Sequence, residues 1–359
     1  MFAEVSKGLK CIIEYKNNDG EWKQTSKQSF KRQKDAKPWI DETLDKLEEQ
    51  LSLEITLDEN YRGITFAEFR EIYIKHVELY REYSTVLNYK NTFSKFAKLN
   101  NKPLEDINQM NIQLIVDGLV KSGLSRGTIL DNLKRLNNVF EAAVKPYRAI
   151  ANNPIENIKD IVIPKSKTKE KMKALTKLEL DTLLEKIEPI NDYIITLLAS
   201  TCGLRIGEIL GLTWDNIDFK KEILTVEKQW KELKKGIHGF GSLKSKNSYR
   251  DIPIPQKTLA ALKQYRNELK IIPLDNRIVI DKKSKSTTSK LIKKYRKLGF
   301  DISVHDLRHT YATMLIGNGI DFKTAAKLLG HSVEMTIRIY SHVNQDMIDA
   351  ATKKIQEIF

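Results

Sequence analysis

The chain has 359 residues, two cysteines and a formal net charge of +14 at pH 7. This length exceeds one ordinary hydrophobic core and predicts two or three domains, and a hydrophobic fraction of 41% is sufficient to build them. No apolar run is long enough to span a bilayer, the first residues lack a secretory signal, and the widely separated Cys11 and Cys202 exclude a disulfide framework. We therefore expect an intracellular protein whose positive charge suits a polyanion, of which nucleic acid is the commonest.

The amino-terminal residues predict a small basic sheet with a helix behind it. A strand, a turn, a second strand and a helix are expected over residues 9–15, 17–20, 21–30 and 36–51. Residues 1–38 carry nine basic and five acidic side chains, with Lys31, Arg32 and Lys34 grouped before the helix. Such a sheet can read a DNA groove as a β-ribbon, although a solvated hairpin accounts for the pattern equally well.

Residues 64–150 predict a compact bundle of four short helices. Thr65 and Glu68 form a capping box at the start of the first helix, whose apolar residues recur at helical spacing. The other helices are expected to begin near Ser84, Asn108 and Ser125. Candidates for DNA contact on the fourth helix are Arg126, Lys134 and Arg135. A basic face of this kind is more often simply solvated.

A lysine-rich linker follows the bundle. In PKSKTKEKMKAL, lysines alternate with serine, threonine and glutamate and leave no apolar face, which predicts an extended segment. Lys165, Lys167 and Lys169 are therefore further candidates for contact with a polyanion. The predicted boundaries are a small domain at 1–52, the bundle at 64–155, the linker at 156–174 and a last domain at 175–359.

The last region predicts a mainly helical domain with a small antiparallel sheet. Strand character is found at 223–226 and at 242–254, where a turn is expected near Asn247. Helices are expected to start at Thr176 and to cover 193–200, 257–269 and 290–298, and Cys202 is expected to be a buried thiol in an apolar helix. The fold class is therefore multidomain and mainly α, with small β elements.

Four of the six histidines lie within residues 304–342: His305, His309, His331 and His342. The first two are four residues apart, which on a helix presents two metal ligands on one face. However, Asp306 stands where a metalloprotease carries glutamate, and Arg308 would repel a cation. The pattern favours an anion site over a metal site.

Three further residues suit phosphate chemistry. Arg205, in GLRIGE, is expected just inside the start of an apolar helix, where a guanidinium needs an anion, and Glu208 is its simplest partner. Two arginines with histidines would hold a phosphate and the added charge of its transition state. The hydroxyl of Tyr340 can attack phosphorus and form a covalent ester, although an isolated tyrosine is more often a packing residue.

The whole set resembles the tyrosine recombinases, the phage-integrase family. The family's motifs are read here, in order, as ASTCGLRIGEILGLTW, LKSKNSYRDIPI, HDLRHTYATML and LLGHSVEMTIRIYSH. The resemblance implies six catalytic residues: Arg205, Lys244, His305, Arg308, His331 and the nucleophile Tyr340. Glu208 and His309 are implied as supporting residues. Lys246, two residues on and on the same face of the predicted strand, is an alternative to Lys244 as the active-site lysine.

The resemblance also implies a mechanism that uses no metal and no other cofactor. Tyr340 would form a 3′-phosphotyrosyl link to DNA while the two catalytic arginines and His331 hold the nonbridging oxygens. Lys244 would protonate the leaving 5′-oxygen, and His305 would assist proton transfer at the tyrosine.

The partners implied are double-stranded DNA and further copies of the chain. The small domain would bind arm-type sites and the bundle core-type sites, in a homotetramer whose tail at 346–359 docks in cis or on a neighbour. An excisionase and a host DNA-bending protein would assist the integration or excision of a phage or conjugative transposon. The expected location is the bacterial cytoplasm, at the nucleoid and without a membrane partner.

Three alternatives stay open at this point. A type IB topoisomerase shares the chemistry, and a regulator built on the same scaffold would bind DNA without cutting it. A metal-dependent hydrolase would use His305 and His309 as ligands. The complete set of catalytic residues argues against the regulator, and full activity in EDTA would exclude the hydrolase. The arm-like region and the LLGH spacing before Tyr340 favour recombination over topoisomerase activity.

Overall fold

The computed structural model describes residues 2–5, 8–16, 21–53, 57–165, 173–271, 273–280 and 284–340. Within these ranges, no helix combines the length and the apolar character that crossing a membrane requires. The chain divides into two compact units, Met1–Thr168 and Lys169–Phe359. Several predicted features lie outside the described residues: the turn at 17–20, Lys167, Lys169, His342 and the tail at 346–359.

The first unit begins with a three-stranded antiparallel sheet and a helix. The elements are β1 Phe2–Val5, β2 Gly8–Lys16, β3 Trp22–Phe30 and α1 Lys37–Leu53. β2 lies between β1 and β3, and the buried Cys11 and Leu47 lie on β2 and α1. The predicted hairpin and helix are confirmed. β1 was not predicted because its four residues are too few to show a period of two.

Four helices around one apolar core form the bundle of the first unit. They are α2 Phe66–Tyr80, α3 Tyr83–Lys95, α4 Gln109–Lys121 and α5 Arg126–Val144. The predicted capping box is present, because the Glu68 N–H donates to Thr65 Oγ1 at 3.3 Å and the Thr65 N–H donates to Glu68 Oε2 at 2.9 Å. The four predicted helices are confirmed.

The bundle also holds the first part of the predicted linker. Gln113 accepts a hydrogen bond from the Val162 N–H at 2.8 Å and donates to the Val162 carbonyl at 3.0 Å. Arg126 donates to the carbonyl oxygens of Ile163 and Pro164. Residues up to Pro164 therefore follow the bundle surface, so the first part of the linker predicted at 156–174 is held by the bundle.

The second unit is mainly helical and carries two small antiparallel sheets. Its helices are α6 Lys177–Lys186, α7 Ile190–Thr201, α8 Ile206–Leu210, α9 Gln256–Glu268, α10 Ser284–Lys297, α11 Val304–Gly317, α12 Phe322–Leu329 and α13 Val333–Tyr340. Its strands are β4 Ile217–Asp218, β5 Ile223–Val226, β6 Gln229–Lys234, β7 Ile237–Gly241 and β8 Arg250–Pro253. One sheet has the order β4-β5-β8, and β6 pairs with β7. The predicted fold class is confirmed.

The strand predicted over 242–254 is largely a loop. Only β8 within it is a strand, and Lys246–Ser248 form a 3-10 turn. The sequence predicted that Lys244 and Lys246 share one face of a strand. This prediction is wrong, because neither residue lies in a strand. The hairpin of β6 and β7 was not predicted, because the residues of β6 are all partly or fully exposed and show no apolar alternation.

A sharp turn after α7 directs the chain toward the polar cluster. Cys202, expected inside the helix, is its C-cap and is buried. Gly203 follows with a φ of +62°, and a Cβ there would lie 2.4 Å from Tyr311 Cδ1. Both the left-handed conformation and the close contact require glycine. The turn places Arg205 at the start of α8.

Candidate active site

A single buried carboxylate lies at the centre of the polar cluster. Glu208 accepts hydrogen bonds from Arg205 Nη1 at 2.7 Å and from Arg250 Nη2 and Nη1 at 2.9 and 3.2 Å. Arg308 Nη1 lies 3.9 Å from Glu208 Oε2. Burial alone would raise the pKa of Glu208, but the hydrogen bond and charge of Arg250, followed by the charges of Arg308 and Arg205, lower it to about 2. Glu208 is therefore ionised at neutral pH and gathers three guanidinium groups.

Arg205 is the N-cap of α8, not a residue inside that helix as expected. Its backbone N–H donates to Glu208 Oε2 at 2.9 Å, and its Nη2 donates to the Gly330 carbonyl at 3.3 Å. Its side chain is 32% exposed, whereas those of Arg250 and Arg308 are each 1% exposed. Arg205 is therefore the guanidinium of this cluster that faces solvent.

Arg308, on α11, is enclosed by backbone carbonyl groups. Its Nη1 donates to the Gly203 carbonyl at 2.5 Å, and its Nη2 donates to the Leu329 carbonyl and lies 3.0 Å from His331 Nε2. Its buried Nε has no hydrogen-bond partner among the described residues. Burial, followed by the charge of Arg205, lowers the pKa of Arg308 to about 9, so the group is still a cation at pH 7.

His331 follows a left-handed turn at the end of α12. Gly330 has a φ of 62°, and a Cβ there would lie 3.0 Å from the Asn247 carbonyl oxygen. Because an arginine N–H can only donate, His331 Nε2 accepts from Arg308 and the neutral ring carries its proton on Nδ1. Burial, followed by the charges of Arg308 and Arg205, lowers the pKa of His331 to about 3. The Nδ1–H is buried, and no described residue accepts a hydrogen bond from it.

Tyr340 ends α13 and is fully buried in a small apolar core of α11, α12 and α13. Its Oη lies 2.6 Å from His309 Nδ1. The rings of His309 and His305 are 4.5 Å apart and nearly perpendicular. Burial raises the pKa of Tyr340 to about 12, opposed in part by the charge of Arg308. The histidine that contacts the tyrosine hydroxyl is therefore His309, whereas the family resemblance implied an assisting role for His305.

Lys244 lies beside the exposed edge of this cluster. It lines a cleft of about 300 Å³ together with Arg205 and His331. Lys246 lines a neighbouring cleft of about 520 Å³, which includes His331 but not Arg205. The geometry therefore favours Lys244 over Lys246 as the lysine that meets a ligand of Arg205.

The site carries an excess of positive charge. Three guanidinium groups around one carboxylate leave a net charge of +2. Burial lowers the pKa values of His305, His309 and His331, so all three imidazoles are neutral at pH 7. A buried excess of positive charge needs an anion. A phosphodiester with one negative charge, passing through a transition state with two, matches this requirement.

Arg250, at the start of β8, was missed as a site residue. Besides its two bonds to Glu208, its Nε donates to the Leu328 carbonyl at 2.8 Å and its Nη1 to the Ser248 carbonyl at 2.9 Å. One signal for it was present in the sequence. Arg250 lies two residues before Ile252 and therefore on the same face of the predicted strand, where an arginine packed with apolar residues needs an anion.

The residues predicted to contact DNA stay predictions. The seven that the structure describes are all exposed or half-buried: Lys31, Arg32, Lys34, Arg126, Lys134, Arg135 and Lys165. Arg32 pairs with Asp35 at 3.3 Å, and Arg126 is occupied by the two carbonyl groups at the end of the bundle. In the described parts of the chain, no three His, Cys, Asp or Glu side chains are grouped to hold a metal ion.

Comparison with protein families gives three matches. The Phage integrase family matches residues 173–347, an Arm DNA-binding domain matches 7–47, and the N-terminal SAM-like domain of phage integrases matches 65–120. The first match contains every residue of the site described above.

Similar proteins carry recombinase and integrase names. A XerC-like tyrosine recombinase of Caldanaerobacter subterraneus subsp. tengcongensis is 28% identical over 84% of this chain and 85% of its own. The tyrosine recombinase XerA of Pyrococcus furiosus is 32% identical over 60% of this chain and 73% of its own. The ICEBs1 integrase of Bacillus subtilis is 27% identical over 83% of this chain and 84% of its own.

Two solved structures share the fold. The Tn1549 transposon integrase, in complex with transposon right-end DNA, has a TM-score of 0.68 at 20% identity and covers 82% of this chain and 100% of its own. A lambda integrase tetramer bound to a Holliday junction has a TM-score of 0.56 at 18% identity and covers 89% of this chain and 95% of its own.

Proposed function

The chain belongs to the tyrosine recombinase family of DNA strand transferases, and we propose that it cuts and rejoins specific DNA sites through a 3′-phosphotyrosyl intermediate. The observation that carries this proposal is the net charge of +2 around Glu208, where the guanidinium of Arg205 faces solvent and can meet an anion. Tyr340, the proposed nucleophile, is held by α11, the same helix that supplies Arg308.

Cleavage takes place at one phosphodiester. Tyr340 Oη attacks phosphorus and the bond from phosphorus to the 5′-oxygen breaks, which gives a 3′-phosphotyrosine and a free 5′-hydroxyl. Arg205, Arg308 and the Nδ1–H of His331 bind the nonbridging oxygens. Because the ester keeps the bond energy, attack by the 5′-hydroxyl of another strand reverses the step and completes the exchange.

Lys244 protonates the leaving 5′-oxygen in this proposal. Its place in one cleft with Arg205 and His331 supports the role, whereas Lys246 shares its cleft with His331 but not with Arg205. A lysine ammonium at the leaving oxygen acts as a general acid, which typically contributes about 10²–10⁴-fold to a rate.

The rest of the chain binds DNA away from the reaction. Residues 1–52 bind arm-type sites, 64–155 bind core-type sites and 156–174 join them to the catalytic residues at 175–359. The match to an Arm DNA-binding domain and the net charge of +14 support this division. Each phosphate contact releases counterions, so affinity falls steeply with salt.

The DNA substrate belongs to a mobile genetic element. Similarity to the ICEBs1 integrase supports this, and the lambda integrase tetramer on a Holliday junction supports a homotetramer on two DNA sites. An excisionase and a host DNA-bending protein set the direction of the reaction. Such a substrate places the chain in the bacterial cytoplasm, at the nucleoid.

The test is covalent capture of the protein on DNA. The full chain is incubated, in EDTA, with a nicked suicide duplex that carries the joined ends of the element, and products are separated under denaturing conditions. The chain should form a covalent complex, whereas Tyr340→Phe should form none. A complex that survives in Tyr340→Phe contradicts the assignment of the nucleophile.

A second DNA partner separates recombination from relaxation. With a labelled 5′-hydroxyl strand supplied in trans, a recombinase joins the new strand to the cleaved one. Relaxation of supercoiled DNA without joining in trans would identify a topoisomerase instead.

A further inference from the structure

The contact between Tyr340 and His309 identifies an acceptor for the proton of the nucleophile. The distance of 2.6 Å from Oη to Nδ1 is that of a short, strong hydrogen bond. No other described residue makes a hydrogen bond to this hydroxyl. The phenolic O–H therefore donates to Nδ1, and the neutral His309 ring carries its own proton on Nε2.

We propose that His309 is the general base of DNA cleavage: its Nδ1 takes the proton of Tyr340 as Oη attacks phosphorus. The proposal rests on the proposed role of Tyr340 as nucleophile. The tyrosine O–H bond breaks as the His309 N–H bond forms, and the new bond from oxygen to phosphorus replaces the bond to the 5′-oxygen. The leaving oxygen receives its proton from Lys244. During joining, His309 returns the proton to the tyrosine.

The surroundings of Tyr340 make such an acceptor necessary. The side chain is fully buried, and burial raises the pKa of its hydroxyl to about 12, so the phenolate is scarce at neutral pH. Burial, followed by the neighbouring His305, lowers the pKa of His309 to about 4. His309 is therefore present in the neutral form that can accept a proton.

α11 gives consecutive residues different tasks. Arg308 is directed to the carbonyl groups of Gly203 and Leu329, whereas the next residue, His309, is directed to α13. His305 lies one turn earlier and packs its ring against His309 at 4.5 Å. His305 thus acts on the tyrosine through His309, as a positioning residue.

Three variants of the full chain distinguish a base from a structural contact. His309→Ala removes both the hydrogen bond and the base. His309→Asn keeps an amide oxygen near the position of Nδ1, and therefore keeps a hydrogen-bond acceptor, but it cannot be protonated at neutral pH. His305→Ala removes the neighbouring ring. Thermal unfolding and DNA binding by gel shift establish that each variant is folded.

The measurement is the rate of covalent-complex formation on the suicide duplex. We expect both His309 variants to be slower by about 100-fold or more, and His305→Ala by about tenfold. Added imidazole should accelerate His309→Ala and leave His309→Asn unchanged, because only the smaller side chain leaves space for it. A folded His309→Asn within about threefold of the parent rate would show a structural contact and overturn the proposal.

A modified substrate separates this step from leaving-group protonation. A 5′-bridging phosphorothioate expels a thiolate, which needs no proton. It should restore most of the activity of Lys244→Ala and little of that of His309→Asn. Equal rescue of both variants would place His309 at the leaving group and overturn the proposal. If the parent chain itself forms no complex on either substrate, the proposed function fails and this inference fails with it.

Discussion

The two halves of the active site are held in place in different ways. The anion-binding half is a network of charged and polar groups: Arg205, Glu208, Arg250, Arg308 and His331. Each of its guanidinium groups has at least two polar partners, several of them backbone carbonyl groups. The nucleophile half is His309 and Tyr340, joined by one hydrogen bond within a small apolar core.

This difference has a consequence for stability and catalysis. Buried charges that share partners stabilise the fold only as a set, because removing one leaves the others unpaired. A single hydrogen bond in an apolar core contributes about 1 kcal/mol. Substitutions in the anion-binding half should therefore lower both stability and cleavage rate, whereas those in the nucleophile half should lower mainly the rate.

The largest loss of stability is expected for Arg308→Lys. A lysine keeps the charge but cannot reach the carbonyl groups of Gly203 and Leu329 together with His331. The cleavage rate should fall by about 10³-fold and the free energy of unfolding by about 3 kcal/mol. Covalent-complex formation and urea unfolding measure the two quantities.

Tyr340→Phe is the matched control for that comparison. It should abolish the covalent complex and lower the free energy of unfolding by only about 1 kcal/mol. Equal losses of stability in Arg308→Lys and Tyr340→Phe would mean that the two halves do not differ as described.

A smaller effect is expected for Arg250→Met, which changes a residue that lies behind the anion site. Loss of the two hydrogen bonds from Arg250 leaves the Glu208 carboxylate paired only with Arg205 and Arg308, so these two guanidinium groups should shift toward it and away from the substrate phosphate. The cleavage rate should fall by about 100-fold and the free energy of unfolding by about 2 kcal/mol. Arg296→Met, which removes an exposed ion pair to Asp301, is the control and should change stability by less than about 0.5 kcal/mol.

A double-mutant cycle sharpens the test of Arg250. If Arg250 acts through Glu208, the losses of Arg250→Met and Glu208→Gln should not add, because the second change removes a partner already lost. Fully additive losses would show that Arg250 acts through Leu328 or Ser248 instead.

The sequence predicted the parts of this site that depend on local spacing. Arg205 and Glu208 are three residues apart, so the pair can be recognised within one helical turn. The same spacing identified the capping box of Thr65 and Glu68 in the bundle. The order of the family motifs added Arg308, whose polar partners include the distant Gly203 carbonyl. Fold class followed from the same helical periodicity.

What the sequence did not predict depends on contacts between distant segments. Arg250 meets Glu208 across 42 residues and the Leu328 carbonyl across 78. His309 meets Tyr340 across 31 residues, and its spacing from His305 points to a metal site rather than to a tyrosine. No local pattern encodes which of two histidines one turn apart faces α13.

A still smaller effect is expected for Gly330→Ala, at the boundary of the two halves. A φ of +62° costs alanine about 1 kcal/mol, and its Cβ would press on the Asn247 carbonyl oxygen at 3.0 Å. The displaced loop carries Lys244, so cleavage should slow by about tenfold and recover on the phosphorothioate substrate. Gly319→Ala has a φ of +87° and nothing within 4 Å, so it should reproduce the loss of stability without the loss of rate.

The smallest effect near neutral pH is expected for the titration of Glu208. Its pKa in the folded chain is about 2, below the ordinary value of 4.5, so its contribution to stability is complete above pH 4.5 and is lost as the pH falls toward 2. The difference in unfolding free energy between the parent and Glu208→Gln should therefore be constant from pH 5 to 8. By pH 3 it should shrink by about 2 kcal/mol.

Urea unfolding of both proteins across this pH range measures the difference. A difference that stays constant down to pH 3 would mean that Glu208 titrates like an ordinary carboxylate. A slope that appears already between pH 5 and 7, with the difference growing as the pH falls, would mean that burial raises the pKa of Glu208 in the folded chain. Since only the surrounding arginines hold its pKa down against burial, such a slope would show that the guanidinium groups do not share it. The anion-binding half would then be no more firmly fixed before substrate arrives than the single hydrogen bond that holds Tyr340.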